Sequence, residues 1–123
     1  MRITLHLVPA LGWDGRDPAV PYTPEAYAVD GFIHCTDGDA EMVRTANRHY
    51  AADLRPFLVL TIDLDATGSP WRFDAPDKPY PHVYGPIDPM AVLDVRRAVR
   101  DETGAFIAIE PRGASPAGGA ASR

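Results

Sequence analysis

The segment from Phe57 to Leu64 constrains the fold most, because its sequence, Phe-Leu-Val-Leu-Thr-Ile-Asp-Leu, is apolar on both faces of an extended chain. A strand of this kind must be covered on both sides, so we predict that it is the central strand of a sheet. Prolines at positions 9, 18, 21 and 24 and glycines at 12 and 15 exclude a long regular helix near the N-terminus. That region is expected to be a structured loop anchored by Trp13 and Tyr22.

One helix is clearly predicted. Apolar residues recur at helical spacing from Met42 to Tyr50, after an Asp-Gly-Asp turn. Short strands alternate with turns through the rest of the chain. The sequence therefore predicts an α+β protein, with one compact domain, a mixed, mostly antiparallel sheet and one main helix.

Length and composition limit the organisation. The chain has 123 residues, which is enough for one hydrophobic core. We expect a single domain over residues 1–110 and a disordered C-terminal tail over 111–123, because the tail is rich in Gly, Ala, Ser and Pro. The one cysteine, Cys35, cannot form an internal disulfide and is expected to be a buried apolar residue. No secretory signal or long apolar run is present in the sequence, so we predict a cytoplasmic protein with no membrane segment.

The charge pattern bears on the partner. A formal net charge of −5 disfavours general nucleic-acid binding, which depends on neutralising phosphates. Arg44 and Arg48 lie four residues apart on the predicted helix and could hold one small anion, or they could form a solvated face paired with acidic residues. We therefore expect a small-molecule or nucleotide ligand; the sequence leaves the oligomeric state open.

Two short motifs place histidines on apolar strands, where an imidazole must be hydrogen-bonded, ligated or directed into a cavity. In Gly31-Phe32-Ile33-His34-Cys35-Thr36, alternation puts Phe32, His34 and Thr36 on one face. In Pro81-His82-Val83-Tyr84-Gly85-Pro86, His82 and Tyr84 share a face. Near the N-terminus, His6 lies on the strand face opposite Leu5 and Leu7. The three histidines together indicate a polar cleft.

These motifs and their order resemble the family called domain of unknown function 952. The matching segments are Leu5-His6-Leu7, Trp13, Tyr22, Asp30 to Thr36, Ala46-Asn47-Arg48 and Pro81 to Pro86. That family is distantly similar to the ADP-ribosyltransferase fold, and in particular to RNA 2′-phosphotransferases. The resemblance implies the split sheet of that fold and a site for NAD.

By that resemblance, His6 would hold a ribose and His34-Cys35-Thr36 would shape the nicotinamide side of the pocket. The other expected binding residues are Arg48 or Arg72 for the pyrophosphate and Tyr22, Phe32 or Tyr84 for stacking on a base. The chain departs from the pattern in two places. Prolines and glycines stand between Pro9 and Pro24 where relatives have a helix, and His82 and Tyr84 stand where many protein-modifying transferases have a glutamate. In addition, Asp74 replaces a family glutamate.

Three functional hypotheses follow. The first is a transferase-like enzyme that acts on NAD or on an ADP-ribosylated or phosphorylated small molecule, with His6, His34 and His82 as candidate catalytic residues. The second is a noncatalytic module that binds a small polar metabolite in the same cleft. The third is a metal site formed by the three histidines, for which the sequence offers no short ligand spacing.

Overall fold

The computed structural model describes residues 1–114. Its helices and strands, in chain order, are β1 (Ile3–Pro9), α1 (Ala10–Asp14), α2 (Tyr27–Asp30), β2 (Ile33–His34), α3 (Asp39–Tyr50), β3 (Phe57–Asp63), β4 (Trp71–Arg72), β5 (His82–Val83), β6 (Val92–Arg100) and β7 (Phe106–Pro111).

The strands form two sheets. A four-stranded sheet has the order β1-β3-β6-β7, and a three-stranded sheet has the order β2-β5-β4. All five pairings between these strands are antiparallel. The predicted α+β class, with a mostly antiparallel sheet and one main helix, is confirmed.

The central position predicted for Phe57 to Leu64 is also confirmed. β3 pairs with β1 on one side and with β6 on the other. Leu58, Leu60 and Ile62 point into one core, whereas Phe57 and Val59 point into the core on the opposite face. Both faces of this strand are therefore covered, as its composition requires.

The helix α3 covers one face of the large sheet. Met42 packs against Leu5 and Val59, and Ala46 packs against Phe57 and Phe106. The adjacent Asn47 side chain donates to the carbonyl oxygen of Phe106 (2.9 Å) and accepts from its backbone N–H (2.8 Å). This pair of bonds ties the beginning of β7 to the helix.

The three-stranded sheet covers the opposite face. Ile33, Cys35 and Val83 enter the core that contains Leu58 and Leu60. Beyond β2, the chain pairs with the edge of β1 through two backbone hydrogen bonds between Leu5 and Thr36, of 2.8 and 3.0 Å. This pairing brings the His34 segment next to His6.

Two local expectations need adjustment. The proline-rich stretch contains the five-residue helix α1, although Trp13 and Tyr22 are buried anchors as predicted. The expected tail boundary at 111 differs from the structure, because β7 runs through Pro111 and the Arg112 guanidinium forms an ion pair with Asp14. The remainder of the predicted tail, 115–123, lies outside the described residues.

No helix within residues 1–114 combines the length and the apolar character needed to cross a membrane.

Candidate functional site

Two adjoining cavities open between β2 and α3. The larger has a volume of about 460 Å³ and the smaller about 70 Å³. Four residues line both cavities: His34, Thr36, Thr45 and Tyr50. We call the joint depression the histidine groove; its lining also includes His6, Phe32, Arg48, Tyr80 and His82.

Four rings on β2, β5 and their flanks form one cluster at the groove. Phe32 stacks on His82 with ring centroids 4.1 Å apart, and its centroid lies 4.6 Å from His34 and 5.6 Å from Tyr84. The centroids of the His34 and His82 rings are 5.5 Å apart. The antiparallel pairing of His34 with His82 accounts for this proximity, since directly paired residues project from the same face of a sheet.

His34 is oriented by a carboxylate. Its Nε2 lies 2.9 Å from Oδ2 of Asp30, the last residue of α2. Gly31 then turns the chain with a φ of 80°, a conformation that favours glycine, and returns it to β2. The His34 side chain is 58% exposed, so solvent reaches the ring.

His82 is oriented by a second carboxylate. Its Nδ1 lies 2.7 Å from Oδ2 of Asp74. Asp74 also accepts hydrogen bonds from the Tyr84 hydroxyl and from Nε of Arg72, the latter at 2.7 Å. The hydrogen bond from the Tyr84 hydroxyl has the largest effect on the pKa of the Asp74 carboxyl. Together with the bonds from Arg72 and His82, it holds that pKa far below its usual value. Asp74 is therefore a carboxylate at neutral pH and fixes the orientation of the His82 ring.

His6 is buried, and both of its ring nitrogens are engaged. Nδ1 lies 2.8 Å from the carbonyl oxygen of His34, and Nε2 lies 3.0 Å from the hydroxyl of Tyr22. Because a carbonyl oxygen only accepts, Nδ1 carries the proton and Nε2 accepts from Tyr22. Burial lowers the pKa of His6 from 6.5 to about 4, so the ring is neutral at pH 7.

This arrangement differs from two of the sequence expectations. Tyr22 is 2% exposed and packs against Trp13 with ring centroids 5.3 Å apart, so its ring is not available to stack on a base. Its hydroxyl instead serves His6. His6 borders the groove, but both of its ring nitrogens are bonded within the protein, so neither is free for a ribose hydroxyl.

Basic side chains from α3 and the Tyr80 ring, from the segment between β4 and β5, bound the larger cavity. Nη1 of Arg48 donates to the Tyr80 hydroxyl (3.2 Å), which donates in turn to Glu41 Oε2 (2.6 Å). The Tyr80 hydroxyl and Arg44 hold the pKa of Glu41 below its usual value. Arg48 remains exposed at the rim, where its guanidinium can reach a bound anion.

The remaining sequence-predicted residues occupy different positions. Thr36 is buried in the floor of the groove, and Phe32 and Tyr84 are half-buried in the ring cluster. Arg72 lies outside the groove, with its guanidinium 4.1 Å from the centroid of the Tyr84 ring. The structure thus brings Phe32, His34, Thr36, Arg48 and His82 together and places Arg72 behind them.

The metal hypothesis is not supported by the geometry. Within residues 1–114, no group of three or more His, Cys, Asp or Glu side chains is arranged to hold a metal ion. His6 does not converge with His34 and His82, because its two nitrogens are bonded to Tyr22 and to the backbone of β2.

Sequence reasoning missed several groove residues. Asp30 lies four residues before His34, at the end of α2. An acidic residue just before a histidine motif is a signal for a carboxylate partner of the imidazole. On α3, Thr45 lies three and four residues before Arg48 and His49, and this spacing marks a shared helix face. Tyr80 gives no such signal, because only the tertiary structure brings it to Glu41 and Arg48.

Comparisons with known proteins agree with this fold. The structure of protein CC0527 from Caulobacter crescentus is similar, with a TM-score of 0.71 and 18% identity over 85% of this chain and 93% of that chain. A double mutant of CC0527 has a TM-score of 0.69 at the same identity and coverage. At this identity the likeness establishes the fold alone. No curated protein matches the sequence. The family model described as "Protein of unknown function (DUF952)" matches residues 7–95, and the chain belongs to this family.

Proposed function

We propose that this protein binds a nucleotide, or a phosphorylated small molecule of similar size, in the histidine groove. The observation that supports this most directly is the convergence of His34, Arg48 and His82 on one cavity of about 460 Å³. Such a volume lies within the range of roughly 300–1,000 Å³ that is typical of small-molecule sites. The net charge of −5 favours such a small ligand over a nucleic-acid polymer.

Arg48 supports the anionic part of the ligand. Its side chain is half-exposed at 50%, and its contact with Glu41 is long, at 4.0 Å. The Glu41 carboxylate is engaged more closely by Arg44 at 2.7 Å and by Tyr80. Arg48 therefore has donors to spare for a phosphate oxygen, and a guanidinium suits phosphate because of its planar fork of donors.

Thr45 supports a polar ligand at the bottom of the groove. It lines both cavities, and within the part of the chain that the structure describes its Oγ1 atom is buried without a hydrogen-bond partner. Buried hydroxyl groups are normally paired, so a ligand hydroxyl or phosphate oxygen would complete the site. The resemblance to ADP-ribosyltransferases makes NAD and ADP-ribose the first ligands to test, with AMP as the smaller analogue.

The test is thermal unfolding of the wild type with AMP, ADP-ribose and NAD, followed by calorimetric titration of any nucleotide that shifts the midpoint. A ligand at about 100 times its Kd adds roughly 2.7 kcal/mol to the free energy of unfolding, a shift of several degrees for a domain of this size. Arg48→Gln should weaken binding about tenfold or more, because it removes a charged hydrogen-bond donor.

Arg44→Gln is the matched control, since Arg44 lies one turn earlier on α3, is also exposed and does not line the groove. The Arg44→Gln variant should bind nucleotide with the affinity of the wild type. The proposal fails if none of the three nucleotides shifts the midpoint, or if Arg48→Gln and Arg44→Gln bind equally well. Binding without any product would favour the noncatalytic module over the transferase-like enzyme.

A further inference from the structure

We infer that His34 and His82 form an acid–base pair that hydrolyses a cyclic phosphodiester of a ribonucleotide. This inference rests on the proposed nucleotide-binding function and adds a substrate class and a reaction to it.

Each of the two imidazoles is paired with a carboxylate. His34 uses Nε2 for Asp30, and His82 uses Nδ1 for Asp74. Within residues 1–114, no hydrogen bond engages the second nitrogen of either ring, which is Nδ1 in His34 and Nε2 in His82. A carboxylate on one nitrogen fixes the tautomer of the ring and stabilises the imidazolium, so the other nitrogen can take up and release a proton.

The two rings lie close together beside one cavity. Their centroids lie 5.5 Å apart, and both side chains line the larger cavity. One reacting group in that cavity can therefore contact both imidazoles. Two histidines that serve one centre allow one to accept a proton from the nucleophile while the other donates a proton to the leaving group.

Water is the nucleophile that fits this site. Cys35 is the one cysteine of the chain; it is buried, and burial raises the pKa of its thiol, so it supplies no thiolate. The Tyr84 hydroxyl is engaged by Asp74, and this hydrogen bond raises the pKa of the tyrosine. Neither group is an activated nucleophile, whereas the exposed His34 ring is open to water.

A phosphodiester is the electrophile that fits this site. Arg48 lines the same cavity and suits one phosphate. A strained five-membered 2′,3′-cyclic phosphate needs only a deprotonated water and a protonated leaving oxygen. The water oxygen forms a bond to phosphorus, and the bond from phosphorus to O2′ breaks. One imidazole takes the proton of the water and the other gives its proton to O2′, which yields a nucleoside 3′-monophosphate. Proton exchange with solvent then restores both rings.

The test uses the full chain with 2′,3′-cyclic AMP, and chromatography measures the formation of 3′-AMP. His34→Gln and His82→Gln, purified in parallel, should each lower kcat about a hundredfold or more. The KM for 2′,3′-cyclic AMP and the Kd for 3′-AMP should each change by less than about tenfold, because Arg48 and the cavity remain. Since His34 is mostly exposed, its variant should also keep the wild-type unfolding midpoint.

Asp30 acts through His34 and is a positioning residue. Asp30→Asn should lower kcat about tenfold or more with KM unchanged, and Asp30→Glu should restore part of the loss. Asp77→Asn, in the exposed loop after Asp74, is the matched control and should retain full turnover.

A wild type that binds 3′-AMP but does not hydrolyse 2′,3′-cyclic AMP overturns this inference and leaves the proposed binding function standing. Turnover that persists at the wild-type rate in both histidine variants overturns it as well. Absence of both nucleotide binding and hydrolysis overturns the two proposals together.

Discussion

The Nδ1–H group of His6 donates to the backbone carbonyl of His34, so a side chain of the core sets the position of a strand that carries a groove residue. The Tyr22 hydroxyl donates to Nε2 of the same ring and thereby holds His6 in the orientation that this bond requires. The three residues come from separate segments of the chain; the bond between His6 and Tyr22 is buried, and the bond between His6 and the carbonyl of His34 is partly buried. A buried acceptor that loses its donor keeps its desolvation cost, which makes this contact sensitive to small changes.

Tyr22→Phe should lower the free energy of unfolding by about 1–3 kcal/mol, because it removes only the hydroxyl and leaves Nε2 of His6 buried without a donor. Urea denaturation at pH 7 measures the effect. Tyr27→Phe is the control: Tyr27 packs on the same core, and its hydroxyl makes no hydrogen bond within residues 1–114. That change should stay within about 0.5 kcal/mol of the wild type. Equal losses in the two variants would refute the assigned role.

At the scale of the elements, β5 and the turn after it depend on Gly85. Its φ is 153°, in a region that other residues adopt only with strain. A Cβ atom there would lie 2.9 Å from Cβ of Ser69, whose hydroxyl donates to the carbonyl oxygen of Pro86 at 2.6 Å. The space beside this glycine is therefore occupied by Ser69, from another segment of the protein.

Gly85→Ala should destabilise the fold by about 2 kcal/mol or more, since backbone strain and the contact with Ser69 act together. Gly38→Ala separates the two effects. Gly38 also has a positive φ, of 89°, but an added Cβ meets nothing within 4 Å. We expect it to cost only about 1 kcal/mol. Thermal or urea unfolding of both variants gives the comparison, and a smaller loss at Gly85 than at Gly38 would contradict the steric argument.

For the whole molecule, the buried neutral His6 links stability to pH. Its pKa is about 4 in the native state and 6.5 when it is exposed to water. Between these values the unfolded chain binds a proton that the native state does not. The free energy of unfolding therefore rises with pH, and the contribution of His6 to it is lost on acidification. The carboxylates with lowered pKa, among them Asp74 and Glu41, act at lower pH, because their contribution is lost only below about pH 4.5.

We expect the free energy of unfolding to fall by about 3 kcal/mol between pH 6.5 and pH 4 on account of His6. Urea titrations across this range provide the measurement. His49→Gln should keep the same dependence, because His49 is exposed on α3, whereas His6→Gln should flatten it. Imidazole NMR signals give an independent check, and a His6 ring that titrates near pH 6.5 in the native protein would rule out this origin.

The sequence by itself determined the fold class, the central strand, the helix α3 and the faces of the short strands. Each of these depends on local periodicity, as with Ile33 and Cys35 inward and Phe32 and His34 outward. The tertiary structure alone decided the partners of the histidines. Asp30 contacts the His34 ring and Asp74 contacts the His82 ring, in each case across a turn. The buried Tyr22 hydroxyl donates to His6, and Tyr80 contacts Arg48 although the two are 32 positions apart in the sequence. Alternation fixes the direction of a side chain from its neighbours along the chain, whereas the group that it meets depends on how the two sheets and the helix pack.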